Sequence, residues 1–296
     1  MSERIVEDTE PDEVFALLSN GTRVGIIRAL WDAPEHELPF SELFGAVDID
    51  DSGQFNYHLD KLVGTFVAET EDGYELTQAG VQINGVIHAG TYTLSAEVDP
   101  ITLPDPCQSC GGDQEFRYED ETVIVRCRGC EIVTRVGVPP GTFAGYDREE
   151  MPEVAQRYLR SVLYHVTRGF CPICDGRVEP TIEALGESVP TEELDGPTGD
   201  VPWLRYECQQ CGSELQSGLV AALAFHPAVV SFHYDRGSPI EGVSVWQFVG
   251  AGLDPERARI RDDSPFRAAV RYRVDGGELV VVVDDTLSVV DTERRE

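Results

Sequence analysis

CQSCGGDQEFRYEDETVIVRCRGC, residues 107–130, opens and closes on a Cys-x-x-Cys pair. A divalent metal of zinc type prefers four thiolates at tetrahedral corners, and one tight Cys-x-x-Cys turn offers two of them. The 16 residues between Cys110 and Cys127 match the spacing of a two-knuckle zinc ribbon. Glu115–Tyr118 and Thr122–Arg126 are β-prone, with Glu119, Asp120 and Glu121 between them. They read as a hairpin that carries one knuckle to the other.

The same pattern recurs further on. Cys171/Cys174 and Cys208/Cys211 form a second set of knuckles, separated by 33 residues, and no cysteine of the eight is left over. Leu185–Asp200 reads as an exposed insertion, and Trp203–Glu207 as a strand returning to Cys208. Gly111, Gly129, Gly176 and Gly212 sit at the knuckles, where positive φ is useful. Two structural zinc ions are therefore expected, on Cys107, Cys110, Cys127 and Cys130, and on Cys171, Cys174, Cys208 and Cys211. Four cysteines close the coordination sphere and leave no position for a substrate water. Iron on the same ligands, and pairing of the first knuckle with the third, remain open alternatives. Disulfides do not suit a reducing cytosol, and a redox Cys-x-x-Cys would need a βαβ setting. No phosphate loop, nucleophile elbow or metalloprotease motif occurs, so no enzyme is expected.

Upstream, residues 11–95 read as helices followed by a hairpin. Pro11 opens a first helix through Leu18. A second runs Thr22–Trp31 with Val24, Ile27, Leu30 and Trp31 on one stripe. Pro39–Leu43 starts a third. Asp51 or Ser52 caps a fourth, from Gly53 to about Val63, with Phe55, Leu59 and Leu62 inward. Thr65–Thr70, the turn Glu71-Asp72-Gly73 and Tyr74–Leu76 make a hairpin, and a last helix runs from Thr77 to about Thr91. That order is the order of a winged helix-turn-helix.

Leu17-Leu18-Ser19-Asn20-Gly21-Thr22-Arg23-Val24-Gly25-Ile26-Ile27 resembles the start of ArsR-type winged-helix transcriptional regulators. Phe55-Asn56-Tyr57-His58-Leu59-Asp60-Lys61-Leu62 resembles their recognition helix, and Glu75-Leu76-Thr77-Gln78-Ala79-Gly80 their wing strand with the start of the last helix. The resemblance covers about the first third of the chain and is nearest to acidic regulators of halophilic archaea that carry zinc-ribbon C-terminal regions. It implies double-stranded DNA as partner, a homodimer built on the last helix, and Ser52, Gly53, Gln54, Asn56, Tyr57, His58 and Lys61 facing DNA. Amide side chains can pair with adenine edges, and Lys and Tyr reach phosphates. No cysteine precedes Cys107, so arsenic or metal sensing at the family's site is not implied.

Composition sets the conditions. The net charge is −31, with 54 acidic against 23 basic residues, and Lys61 is the single lysine. At 41% hydrophobic the chain still has enough apolar residues for cores. Acidic, lysine-poor and globular points to a cytoplasm of molar salt, where a Debye length of ~3 Å screens the repulsion. No apolar run could span a bilayer, and Met1–Glu10 lacks a secretory pattern, so a soluble cytoplasmic protein is expected. Residues 1–95 hold four basic side chains (Arg4, Arg23, Arg28, Lys61) against eighteen acidic ones, a net −14. Phosphate neutralisation usually supplies much of DNA affinity. The competing reading is therefore a protein-interaction or general transcription factor whose winged helix and ribbons dock on the transcription machinery.

The rest is read more coarsely. Glu97–Pro106 is a proline-rich linker. Glu153–Arg168 is a helix with Val154, Tyr158, Val162 and His165 on its stripe. Leu219–His226 is apolar, with Pro227 interrupting, and His226 and His233 are packing histidines. From Val243 the pattern turns β-like, with a hairpin of Ala268–Val274 and Leu279–Val283 and a possible strand at Leu287–Val290. The expected fold is α+β in four parts: a winged helix-turn-helix over 1–95, a first zinc ribbon over 96–150, a helix and second ribbon over 151–216, and a small α/β element over 217–296.

Overall fold

The computed structural model of the chain describes residues 10–90, 93–130, 132–188 and 200–296. The fold is α+β, its strands all antiparallel and arranged in four sheets among the described residues. The chain divides into two compact units, residues 1–94 and 95–296.

The first unit begins with α1 (Pro11–Leu17) and α2 (Gly21–Asp32). Asn20 starts α2 by accepting hydrogen bonds from the amides of Thr22 and Arg23. Then come β1 (Glu37–Leu38), α3 (Phe40–Ala46), α4 (Ser52–Leu62), β2 (Val67–Glu69), β3 (Tyr74–Leu76) and α5 (Gln78–Ala89). Asp51 caps α4 through the amide of Gln54 at 2.8 Å, and Thr77 caps α5 through the amide of Gly80. Gly90, at φ +73°, ends α5 short of the expected Thr91, which lies outside the described residues. The sheet order is β1-β3-β2, so the expected hairpin gains a short third strand that two residues were too few to announce. Phe55, Leu59 and Leu62 of α4 meet Ile26, Ile27 and Leu30 of α2 in the core. The stripe of α2 thus centres on Ile26 and Ile27, while Val24 and Trp31 are only half-buried.

The second unit opens with β4 (Val98–Thr102), β5 (Gln114–Glu119), β6 (Thr122–Cys127) and β7 (Val133–Gly137), one sheet in sequence order. The expected proline-rich linker is therefore partly an edge strand. Pro100 is tolerated there because an edge position leaves one side of the backbone unpaired, and the register slips between Val98 and Ile101. α6 (Met151–Thr167) follows. It buries Val154, Ala155, Leu159, Leu163 and Val166, whereas the expected His165 is exposed. The second ribbon sheet is β8 (Val178–Ala184), β9 (Pro202–Cys208) and β10 (Glu214–Gly218) in the order β10-β9-β8. Between β8 and β9 lies the short helix α7 (Leu185–Ser188); the rest of the expected insertion, 189–199, lies outside the described residues.

Next are α8 (Leu219–Ala222), α9 (Pro227–Asp235) and α10 (Val245–Ala251). Pro227 starts α9 rather than merely interrupting a helix, since a first-turn proline loses no helical hydrogen bond. α10 replaces the β-like pattern expected from Val243; the run Val245-Trp246-Gln247-Phe248 is β-prone by composition but is buried as a helix. The chain ends in β11 (Ala258–Asp263), β12 (Phe266–Val274), β13 (Gly277–Val283) and β14 (Val289–Arg295), an up-and-down sheet. One hydrophobic core draws residues from Leu103 to Val283. The three C-terminal parts read from the sequence thus share a single interior.

Buried tyrosines tie that interior to pH. Tyr118 donates to the carbonyl of Val138 at 2.8 Å, and Tyr272 to that of Val220 at 2.7 Å. Burial, aided by the charge of Glu121, pushes the Tyr118 phenol up to about 12 from 10.0. The folded state thus prefers the protonated phenol. Its stabilisation is complete below about pH 10 and falls as pH rises toward 12. The melting temperature of the second unit should drop between pH 10 and pH 12, and less in Tyr118→Phe. Equal drops in both proteins would remove Tyr118 from this account.

Candidate metal centres and candidate nucleic-acid interface

The eight cysteines converge as two quartets. Cys107 and Cys110 precede β5, and Cys127 ends β6 with Cys130 just beyond. Cys171 and Cys174 follow α6, while Cys208 ends β9 and Cys211 leads into β10. The pairing is of neighbours in sequence, not of the first knuckle with the third. Within each quartet the sulfurs lie within 4.8 Å of one another. Specific pairs stand at 3.9 Å (Cys107–Cys130), 3.4 Å (Cys110–Cys127), 3.8 Å (Cys171–Cys211) and 3.5 Å (Cys174–Cys208). Tetrahedral thiolates at a metal–sulfur distance of ~2.3 Å lie about 3.8 Å apart. Each quartet therefore has the donor set and the size to hold one metal ion.

Repeated backbone hydrogen bonds build the knuckles. The amide of Cys107 donates to the carbonyl of Gly112, Cys127 to Ile132, Cys171 to Gly176 and Cys208 to Ser213, at 2.8–3.0 Å. Among the described residues a second bond closes the turn from Gly111 to Cys107, from Asp175 to Cys171 and from Gly212 to Cys208. Amides also point at sulfur: Gly112 to Cys110, Gly129 to Cys127, Ile173 to Cys171, and Cys211 to Cys208, at 3.2–3.4 Å. Such donors stabilise thiolate charge.

The glycines divide into two roles. Gly111 and Gly212 take positive φ, as expected. In the third knuckle that conformation falls to Asp175 at φ +56°, one residue before Gly176. Gly129 and Gly176 serve close approach instead. A Cβ on Gly129 would lie 3.1 Å from Cys110 Sγ, and one on Gly176 would lie 3.1 Å from Cys174 Sγ. Gly129→Ala should shift a ligand by a few tenths of an ångström and weaken metal retention about 10–100-fold, the range for disturbed support around metal ligands. Competition with a chromogenic chelator measures this; unchanged retention would count against the packing role.

The sulfurs do not share one environment. Burial raises Cys127, but the Gly129 amide and the neighbouring sulfurs outweigh it and hold the thiol at about 7. Burial pushes Cys130 to about 12. The Ser213 hydroxyl and then its amide bring Cys211 down to about 6. Cys174 rises to about 12 despite the Gly176 amide, with Cys211 and burial pushing it up. A proton therefore stays on part of each quartet until a cation balances the charge, so metal uptake releases protons. Ser213 was not singled out in the sequence. Its oxygen lies 3.3 Å from Cys171 Sγ and 3.2 Å from Cys211 Sγ, and a hydroxyl two residues after a knuckle cysteine was the available sign. His226 and His233 belong to neither quartet: His226 Nδ1 caps α9 at Ala228, and His233 Nδ1 meets the carbonyl of Ser238.

The first unit presents the remaining candidates on α4. Ser52, Gly53, Gln54, Asn56, Tyr57 and Lys61 are exposed. Asn56 Nδ2 donates to Asp60 at 3.1 Å, and Lys61 Nζ lies 5.7 Å from the centre of the Tyr57 ring. Tyr57 is 58% exposed, large for an aromatic ring. His58 departs from expectation. It is only 8% exposed, beside Leu59 on the inner face, with its ring against Tyr57 at 5.3 Å. One turn from Phe55 and Leu62 the helix faces the core, so His58 does not stand with the exposed set.

Residues 104–289 match the family described as "Domain of unknown function (DUF7351)", and residues 11–87 match "Domain of unknown function (DUF7347)". The two matches fall one on each compact unit. No curated protein and no solved structure matches the chain.

Proposed function

We propose that this chain, which belongs to the DUF7351 family, is a sequence-specific DNA-binding transcriptional regulator with two structural zinc sites. One observation carries the reading. α4 follows α3 across a short turn and offers solvent a continuous polar face of Gln54, Asn56, Tyr57 and Lys61, with the β2–β3 hairpin next in the chain. In a winged helix-turn-helix of ArsR type, α3 and α4 are the helix-turn-helix, α4 enters the major groove, and β2–β3 is the wing. Among the expected contacts, His58 becomes a support for α4 rather than a reader of bases. Zinc suits the quartets because thiolate-only tetrahedral sites are its usual structural form. Exposed apolar side chains on α1 and α5, Phe15 and Val86, favour a homodimer.

The net −14 of the first 95 residues supports a second reading, docking on the transcription machinery. In molar salt both phosphate attraction and acidic repulsion fade, which leaves base-edge contacts, shape and dimer avidity to decide. The test is selection of genomic DNA fragments by the full chain in molar KCl, beside a Gln54→Ala/Asn56→Ala variant. Recovery of a preferred site, with affinity at least 10-fold lower in the variant, is expected at ~1–3 kcal/mol per bidentate base contact. Absence of any preferred site, with polymerase retained in a pull-down, would favour the docking reading instead.

A further inference from the structure

The second unit holds a cleft of about 430 Å³ between the end of α6 and the start of α9. Tyr164, Phe225, Leu223 and Pro180 line it, the first two edge to face with centroids 6.2 Å apart. Its volume is that of a small-molecule site. None of the described residues that line it is acidic, in a chain with 54 acidic residues.

The polar groups in it are donors. Arg168 makes no side-chain ion pair or hydrogen bond among the described residues and rests its guanidinium 5.1 Å from the centre of the Tyr164 ring. His226 Nδ1 accepts from the Ala228 amide at 3.2 Å, so in the neutral ring that burial favours, Nε2 carries the hydrogen. Tyr206 contributes wall rather than polar contact: it is 1% exposed, and its hydroxyl is turned toward Ser217 inside the fold.

We propose that this cleft is a binding site for a small aromatic carboxylate, the ring lying against Tyr164 and Phe225 and the carboxylate facing Arg168 and His226. An anion matches the Arg168 guanidinium and the His226 donor, with no carboxylate among the described lining residues. The aromatic walls select a flat apolar body. The site lies wholly within the second unit and stands independently of the DNA-binding reading.

The test is a fluorine NMR titration of the full chain in molar KCl with 4-fluorobenzoate, beside the neutral 4-fluorobenzamide. Saturable broadening by the benzoate is expected, with the benzamide at least 10-fold weaker. Arg168→Gln, an exposed position that leaves the core intact, should weaken the benzoate about 10-fold, the effect of one charge-assisted hydrogen bond. No saturable binding of benzoate by the wild type would overturn the proposal. So would equal affinity for acid and amide, or binding unchanged in Arg168→Gln. No DNA is present, so either result leaves the regulator reading to its own assay.

Discussion

Treatment with a strong chelator is expected to unfold the second unit and to leave the helices of the first intact. The first unit contains no cysteine, since Cys107 is the earliest in the chain. The second rests on two quartets whose sulfurs are packed at 3.4–3.9 Å. Apparent binding energies for structural zinc reach ~10–16 kcal/mol. Whole domains are stable by only ~5–15 kcal/mol. Losing even one ion thus removes an energy as large as the stability of the fold. Cys127→Ser should act like the chelator, because Cys127 is buried at the end of β6 and Gly129 and Cys110 are arranged around its sulfur. Circular dichroism and limited proteolysis would follow the two units separately, and metal analysis would count the ions. A second unit that melts at the same temperature after complete metal removal would show that its apolar core suffices alone.

Two aromatic residues two positions apart on α4 should behave as opposites. Phe55 is fully buried and meets Phe40 and Phe44 edge to face, at 5.4 and 5.2 Å. Phe55→Ala leaves a cavity between α3 and α4 and should cost about 3–5 kcal/mol, enough to populate the unfolded first unit. Tyr57 stands 58% exposed. Tyr57→Ala should change stability by no more than about 0.5 kcal/mol, the usual range for surface positions. It should nonetheless weaken DNA binding if α4 lies in the groove. Denaturation and DNA-binding curves for both variants settle the matter. A Tyr57→Ala protein that binds DNA unchanged would move the contact surface away from this face.

The metal ligands were legible because Cys-x-x-Cys encodes a local turn, and two such turns at ribbon spacing bring their own closure. Asp51 and the β2–β3 turn were legible for the same reason, since caps and tight turns are chosen by neighbours in sequence. What escaped depends on distant partners. Pro100 looks like linker until β5 lies beside it. Val245–Phe248 carries residues common in strands and becomes helix because it is buried against α6 and α8. His58 has the chemistry of a DNA contact, and only the rotation of α4 about its axis turns it inward. The interior that joins the two ribbons depends on distant partners likewise. Each ribbon is local, but the apolar faces of both sheets close on α6 and on β12 and β13, far along the chain.

That shared interior sets a timetable for biosynthesis. The first quartet is complete once Cys130 has left the ribosome, the second only after Cys211, and the interior common to both only after Val283. At ~5–20 residues per second the nascent chain therefore spends several seconds with paired thiols formed and the apolar faces around them uncovered. During that window the first ribbon has only its own strands and the closure of its cysteine quartet to hold it. Scarcity of metal in the cell would then register first as aggregated or degraded newly made chains, while molecules already finished kept both their ions and their fold.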